Sequence, residues 1–297
     1  MTATATLRIG TRHSRLALAQ AQIAARALKA AGLGSAELVP ISTHGDAISV
    51  SRPHAGWVVT DGQFTRELER ALIADEVDLV VHSYKDLPTA AVDGLVIAAV
   101  LERGDARDCL LTRDGETIDH IPFGARIGTS SPRRAAQLAA RRSDFLATPI
   151  RGNVESRLRR LANGEFDAVI LAAAGVDRLG IAVPDHARLP FDLMLPAPAQ
   201  AALALQVRGD DELRRSVAGV DHRPTRIAVE AERSLLRRIG GGCLAPLGAF
   251  AEVVGGRLSL RAAFEDSTGA FARAEASGPA ADPERVVDAV ARTLAGR

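Results

Sequence analysis

Residues 77–88 read VDLVVHSYKDLP, an apolar run that gives way to polar residues within two positions. The apolar half, from Val77 to His82, predicts a short buried strand. Ser83, Lys85 and Asp86 then follow at its carboxyl end, which is where open α/β sheets bind their ligands. This stretch therefore predicts an α/β sheet that carries a candidate site at the end of one strand.

The same strand-then-polar pattern recurs along the first two thirds of the chain. Leu7 to Gly10 predicts a strand that runs into Thr11-Arg12, after which Ser14 can cap a long helix. Further strands are predicted at 37–42, 77–82, 125–128, 148–150 and 166–172, and further helices at 64–74, from 131, at 154–162 and at 173–179. Ser131 and Asn153 can cap the helices that follow them. Strands that alternate with helices predict parallel sheets joined by crossover helices.

Two other segments need separate interpretations. Residues 44–62 have no clear period and contain several glycines, so they are expected to form a long loop, and such loops are often lids. Ala201 to Arg208 is apolar and is predicted to be a helix that returns to the first domain. After Pro224 the sequence predicts a helix at 225–239, an antiparallel meander at 247–254, 257–264 and 270–278, and a closing helix at 283–295.

The composition narrows the possible functions. The chain has 297 residues, enough for two or three domains, and a net charge of +1, which argues against a general nucleic-acid surface. It contains 2 lysines and 35 arginines, so a single arginine carries little information. The first eight residues show no signal-peptide pattern and no apolar run is long enough to cross a bilayer, so we expect a cytoplasmic protein.

Six arginines stand beside Ser, Thr, Gly and Asn residues, in four clusters that follow predicted strands. They are Arg12, Arg133, Arg134, Arg151, Arg157 and Arg178. A guanidinium binds a carboxylate or phosphate through two parallel hydrogen bonds, so several in one cleft predict a polyanionic ligand. The alternative for each cluster is an ordinary capped helix with solvated arginines.

The Lys85-Asp86 pair is the best candidate for chemistry. An aspartate in a basic cleft stays ionised and can stabilise a cation that forms during a reaction. Lys85 could bind an acidic group, or could form a Schiff base if it were desolvated. The alternative is a surface ion pair before the turn at Pro88.

The two cysteines lie far apart and show no metal-ligand or disulfide spacing. Cys243 follows three glycines, which allow a ligand to approach closely, and an exposed thiol there can become a nucleophile. The alternative for Cys243 is a small buried residue. Cys109 lies in an apolar run and is expected to be buried.

Taken together, these segments resemble the porphobilinogen deaminase family, also called hydroxymethylbilane synthases. The resemblance runs from Leu7 to about Leu260 and rests on the order and spacing of residues 7–12, 81–88, 128–134, 151–157 and 241–243. It implies two α/β domains like those of periplasmic binding proteins, which flank a cleft, and a small α+β C-terminal domain. We place these domains at 1–103 with 200–219, at 104–199 and at 220–297.

The resemblance also implies the reaction. The family's enzymes are transferases that join four porphobilinogen units, each with loss of ammonia, onto a dipyrromethane cofactor, and then release hydroxymethylbilane by hydrolysis. The cofactor is assembled from substrate and is held through a thioether, here on Cys243. Asp86 matches the catalytic aspartate, which steadies an azafulvene-like cation, and Lys85 stands beside it. A monomer that binds neither nucleic acid nor membrane is expected.

The remaining site residues follow from the same resemblance. The cofactor contacts are expected to be Ser83, Lys85, Asp86, Thr129, Ser130, Ser131, Arg133 and Arg134. The substrate contacts are expected to be Arg12, Ser14, Phe64, Arg151, Asn153, Arg157, Arg178 and Gln200.

The chain departs from the family pattern in two places. Asp61 stands where a lysine is common, and Ala199-Gln200-Ala201 replaces a Gly-Gln-Gly. If the backbone there needs a positive φ, alanine would be strained. Two other hypotheses stay open: a binding module that kept the cleft and lost the reaction, and a nucleic-acid or regulatory protein, which the charge balance and the few aromatic residues disfavour.

Overall fold

A computed structural model describes residues 6–43, 65–209, 212–240, 242 and 244–296. Asp61, Phe64, Cys243 and the predicted loop at 44–62 lie outside the described residues. The described elements form three β-sheets with helices packed against them, so the predicted α/β class is confirmed. No described helix is both long enough and apolar enough to span a membrane.

The first sheet has five strands in the order β2-β1-β3-β9-β4. The strands are β1 (Leu7–Arg12), β2 (Ala36–Ile41), β3 (Leu79–Ser83), β4 (Leu95–Val100) and β9 (Leu203–Arg208), and the helices are α1 (Arg15–Ala30) and α2 (Arg66–Ile73). β1 pairs in parallel with β2 and β3, whereas β9 runs antiparallel to β3 and β4. Ile9, Leu79 and Leu205 pack with α1 in the core of this sheet.

The helix predicted at 201–208 was wrong, because these residues form β9. The strand does return to the first sheet, as the prediction required, and lies between β3 and β4. Every residue from Leu203 to Val207 is buried, because the strand is central and covered on both faces. Its sequence therefore lacks the alternation of apolar and polar residues that identifies a half-buried strand.

The second sheet has four strands in the order β5-β8-β6-β7. The strands are β5 (Asp108–Thr112), β6 (Arg126–Gly128), β7 (Leu146–Thr148) and β8 (Ala168–Ala172), and the helices are α3 (Pro132–Arg141), α4 (Val154–Ala162) and α5 (Ala173–Arg178). β6 pairs in parallel with β7 and β8, and β5 runs antiparallel to β8. Both larger sheets are therefore mixed rather than purely parallel, which corrects the sequence prediction.

The third sheet is the predicted antiparallel meander. Its strands are β10 (Leu247–Val254), β11 (Arg257–Glu265) and β12 (Phe271–Pro279), and it packs against α7 (Arg223–Arg238) and α8 (Pro283–Ala295). The short helix α6 (Glu212–Val217) precedes this unit. The domain boundaries after residues 103, 199 and 219 stay a prediction.

Candidate active site

A cavity of about 720 Å³ lies between the first and second sheets, where β1, β3 and β8 end. Eleven of the predicted site residues line it: Arg12, Ser14, Ser83, Lys85, Asp86, Ser130, Arg134, Arg151, Asn153, Arg157 and Arg178. Carboxyl ends of parallel strands meet at one sheet edge, which brings together side chains that are far apart in sequence. The expected gathering of these clusters at one site is therefore present.

The first sheet presents its residues through a cap and a tight turn. β1 ends at Arg12, and the Ser14 hydroxyl accepts a hydrogen bond from the Ala17 amide and so caps α1. β3 ends at Ser83, whose hydroxyl accepts a 2.9 Å hydrogen bond from the Gln20 amide group. A 3₁₀ turn over Tyr84–Asp86 follows, and two of its residues, Lys85 and Asp86, line the cavity.

The second sheet uses two helix N-termini. Ser131 caps α3 through the Arg134 amide, and Asn153 caps α4 through a 2.8 Å bond from the Ser156 amide, as the sequence predicts. Gly152 has φ +108°, and a Cβ there would lie 2.1 Å from the Ser156 hydroxyl oxygen. This turn therefore requires glycine, and it sets the start of α4 against the cavity.

Two of the arginines are largely desolvated. Burial, together with the charges of the neighbouring Arg134 and Arg151, lowers the pKa of Arg157 to about 10. Burial likewise lowers the pKa of Arg178 to about 10, although Asp177 opposes the shift. Because like charges close together disfavour one another, this wall of the cavity is prepared for anions.

Lys85 is the cationic group closest to Asp86 in sequence, and it lies half-buried. Its ammonium donates a 3.2 Å hydrogen bond to the Gln200 side-chain oxygen. Burial, aided by the charge of Arg134 and opposed by that of Asp86, lowers the pKa of Lys85 to about 8. The Asp86 side chain is exposed and lines the same cavity.

Four predicted contact residues lie behind the cavity rather than along it: Thr129, Ser131, Arg133 and Gln200. Arg133 is 3% exposed and donates to Asp108 at 2.7 Å and to the Leu195 carbonyl at 2.6 Å. Thr129 is fully buried, and Ser131 acts as the cap of α3. Direct ligand contact by these residues stays a prediction. In the structure they form hydrogen bonds with residues around the cavity.

The comparisons with known proteins agree with the geometry. Residues 7–216 match the family model "Porphobilinogen deaminase, dipyromethane cofactor binding domain", and residues 226–296 match "Porphobilinogen deaminase, C-terminal domain". The chain belongs to the porphobilinogen deaminase family.

Curated relatives extend over most of the chain. A porphobilinogen deaminase from Desulforudis audaxviator is 46% identical over 96% of this chain and 93% of its own. Another porphobilinogen deaminase, from Thermobifida fusca, is 47% identical over 90% of this chain and 84% of its own. Among solved structures, the periplasmic VFT2 domain of Bordetella pertussis BvgS aligns with a TM-score of 0.41 at 15% identity, over 72% of this chain and 86% of that domain.

The described residues fit the dipyrromethane cofactor of the porphobilinogen deaminase family. The resemblance implies two carboxylates on each pyrrole, and the cavity wall holds the Arg157 guanidinium, whose pKa is lowered by burial and by the charges of other arginines. The Arg134 Nε atom, also buried, has no hydrogen-bond partner among the described residues. Polar groups left unsatisfied beside a cavity favour a ligand that supplies acceptors.

Sequence reasoning missed Asp108, which organises the porphobilinogen deaminase cavity from behind. The carboxylate is fully buried, and accepts from Arg133 and Arg134 at 2.7 Å and from Gln200 at 2.9 Å. These partners hold its pKa well below the usual range, against the effect of burial. The sequence offers no local signal for this role, because the burial of Arg133, Arg134 and β5 is visible only in the structure.

The departure at Ala199-Gln200-Ala201 has the expected backbone consequence. Ala199 has φ +60° and Ala201 has φ +72°, so both alanines lie in the left-handed region that favours glycine. Gln200 between them contacts Lys85 from the first sheet and Asp108 from the second. The strained turn thus joins the two walls of the cavity.

Proposed function

We propose that this protein is a hydroxymethylbilane synthase, which condenses four porphobilinogen units with loss of ammonia and releases the linear tetrapyrrole by hydrolysis. One observation carries the proposal: an arginine-lined cavity with a lysine and an aspartate at the end of one strand. Such a cavity suits a substrate that carries several carboxylates and develops positive charge as ammonia departs.

In this proposal the arginines bind and the aspartate stabilises. Arg12, Arg151 and Arg178 surround the cavity from both sheets, so they can hold carboxylates while the reacting rings stay between the walls. The Asp86 carboxylate accepts pyrrole N–H groups and stabilises the cation electrostatically. The geometry places Asp86 in the cavity, and its role there is what mutagenesis tests.

The cofactor assignment completes the proposal. Ser83, Lys85, Ser130 and Arg134 line the cavity and would hold the carboxylates of a dipyrromethane, with Cys243 as the attachment point. When bound, this group supplies the pyrrole carbon to which the first substrate unit is joined. The protein is further proposed to act as a cytoplasmic monomer.

A binding module with the same cleft is the competing function, and intact protein mass separates the two. The resting mass would be measured first, and then the mass after a short pulse of porphobilinogen. A resting adduct of two pyrrole units, followed by a ladder of added units, is the expected result. Cys243→Ser is the control and should carry no adduct.

A different result would decide against the enzyme. A bare mass that never shifts under the pulse would leave the fold and the cavity standing, and the binding-module function would then be the better one. An adduct that persists in Cys243→Ser and disappears in Cys109→Ser would move the attachment point to Cys109, which is fully buried at the start of β5.

A further inference from the structure

Arg233 is a buried charged residue that the proposed reaction does not use. It lies on α7, which packs on the third sheet, and its side chain is almost wholly buried. No carboxylate of the described residues forms an ion pair with it. An isolated buried guanidinium is costly, so its hydrogen-bond partners indicate what it is for.

The partners of Arg233 are all on the turn that carries Lys85 and Asp86. Its Nη1 atom donates to the carbonyls of Tyr84 at 3.2 Å and Leu87 at 2.9 Å, and its Nη2 atom donates to the Pro88 carbonyl at 2.7 Å. The guanidinium also lies over the Tyr84 ring, 4.5 Å from its centroid. One side chain thus fixes the backbone on both sides of Lys85 and Asp86.

A second residue of α7 also binds this turn. Glu230, one turn before Arg233, accepts a hydrogen bond from the Tyr84 hydroxyl. Among the described residues the 3₁₀ turn at Tyr84–Asp86 has two further backbone hydrogen bonds, from the Leu87 amide to the Tyr84 carbonyl and from the Tyr84 amide to the Ala202 carbonyl. The side chains of α7 add four hydrogen bonds to residues 84–88, so they contribute strongly to the position of the turn.

We infer that Arg233 is a positioning residue for Asp86: it transmits the position of α7 to the aspartate across three backbone carbonyls. The kinetic test of this inference rests on the proposed function, because it needs turnover of porphobilinogen. The test by amide hydrogen exchange does not. The fork geometry matters, because a lysine carries one charged nitrogen and cannot reach all three carbonyls in these directions. A misplacement of about 1 Å at a reacting group can cost about 100-fold in rate.

The chain offers a matched control on the same helix. Arg226 also donates to two backbone carbonyls, those of Ile97 and Ala98, and to Asp221, but it makes no hydrogen bond to residues 84–88. Arg226 is half-buried, whereas Arg233 is buried. Arg226→Lys therefore removes a carbonyl-binding guanidinium from the same helix and leaves the contacts of residues 84–88 in place. Any loss specific to the Asp86 turn should appear in Arg233→Lys alone.

The experiment compares Arg233→Lys and Arg226→Lys with the wild-type chain. Arg233→Lys should lower kcat about tenfold or more with a KM for porphobilinogen that changes little, since the carboxylate-binding arginines are untouched. Arg226→Lys should keep kcat within about twofold. Equal losses in the two variants, or a loss confined to KM, would overturn the inference.

Amide hydrogen exchange gives a readout that does not need activity. Peptides that cover residues 83–89 should exchange faster in Arg233→Lys and at the wild-type rate in Arg226→Lys. If the wild-type chain proved inactive, the proposed function would fail and this comparison would still decide the inference. Unchanged exchange in Arg233→Lys would refute it.

A milder substitution covers the case in which Arg233→Lys does not fold. Tyr84→Phe keeps the ring under the Arg233 guanidinium and removes the hydroxyl that contacts Glu230. The inference requires a smaller decrease in kcat, again with KM retained, and faster exchange in the same peptides. Wild-type values for both would contradict the view that α7 positions this turn.

Discussion

At the scale of single residues, Lys85 gives a prediction with a defined sign. Its pKa is lowered to about 8 by burial first, so the ammonium is charged below that pH and neutral above it. Lys85 is expected to hold a carboxylate of the cofactor. If it also binds a substrate carboxylate, KM should rise as the pH increases through about 8, and should be flat below it. The measurement is KM for porphobilinogen between about pH 7 and pH 9.5.

The control for this prediction is Lys85→Met. It should have a raised KM at all pH values and no step near pH 8, because the titrating group is gone. A step of the same size in Lys85→Met would assign the titration to substrate or to another residue.

Asp86 gives the second prediction at this scale. Asp86→Asn keeps the size of the side chain and removes its charge, so the cation formed during the reaction loses its electrostatic partner. We expect kcat to fall about 100-fold or more. Asp93→Asn is the control, because Asp93 is exposed on the same segment and does not line the cavity. Near-normal turnover in Asp86→Asn would remove the aspartate from its assigned role.

The residues of the cavity were predictable to the extent that they follow strands. Arg12 ends β1 and Asp86 lies in the turn after β3, whereas Arg178 ends the short helix α5 that follows β8. The sequence reveals these positions because each follows a predicted strand. What lies behind the cavity was not visible, since Arg133 and Arg134 look alike in sequence. In the structure both arginines bind the buried Asp108, but only Arg134 of the two also lines the cavity.

At the scale of elements, local patterns identified helices better than central strands. Ser14, Ser131 and Asn153 cap their helices as predicted, because a cap is a contact within four residues. β4 and β5 were not predicted, and β9 was taken for a helix. These strands acquire their structure from partners far away in sequence, such as the pairing of Leu205 with Val81, so no local window contains the cause.

The turn at 199–201 gives the third prediction. Ala199→Gly and Ala201→Gly should each stabilise the fold by about 0.5–1 kcal/mol, because a left-handed alanine costs about 1–2 kcal/mol and the entropy lost by glycine offsets part of the gain. Thermal or denaturant unfolding measures the change. The matched control is Ala202→Gly, which is buried but not at positive φ and should be destabilised. Destabilisation of all three variants would contradict this prediction. It would mean that the buried alanine methyl groups stabilise the fold by more than the relief of backbone strain does.

At the scale of the whole molecule, one buried carboxylate binds three segments that lie far apart in sequence. Glu232 on α7 is fully buried and accepts two bonds from Arg103, at 2.6 and 3.1 Å, where the chain leaves the first sheet. The same carboxylate accepts from the Ala199 amide at 2.6 Å and from the Ala251 amide of β10 at 2.7 Å. Glu232 is therefore a shared acceptor for the turn at 199–201, for the segment after β4 and for the third sheet.

This arrangement gives the last prediction, on the stability of the whole fold. Glu232→Gln removes the charge that satisfies the buried Arg103 guanidinium, and breaking a buried pair in this way costs about 3–5 kcal/mol. The control is Glu284→Gln, which breaks the exposed pair with Arg238 and should cost about 0–1 kcal/mol. Denaturant unfolding gives both values.

A double variant separates the ion pair from the other contacts of Glu232. Because Glu232 also accepts hydrogen bonds from two backbone amides, the double variant Arg103→Met, Glu232→Leu should stay destabilised even though both charges are gone. Full recovery in that double variant would show that the ion pair alone mattered and that the Ala199 and Ala251 amides find other acceptors.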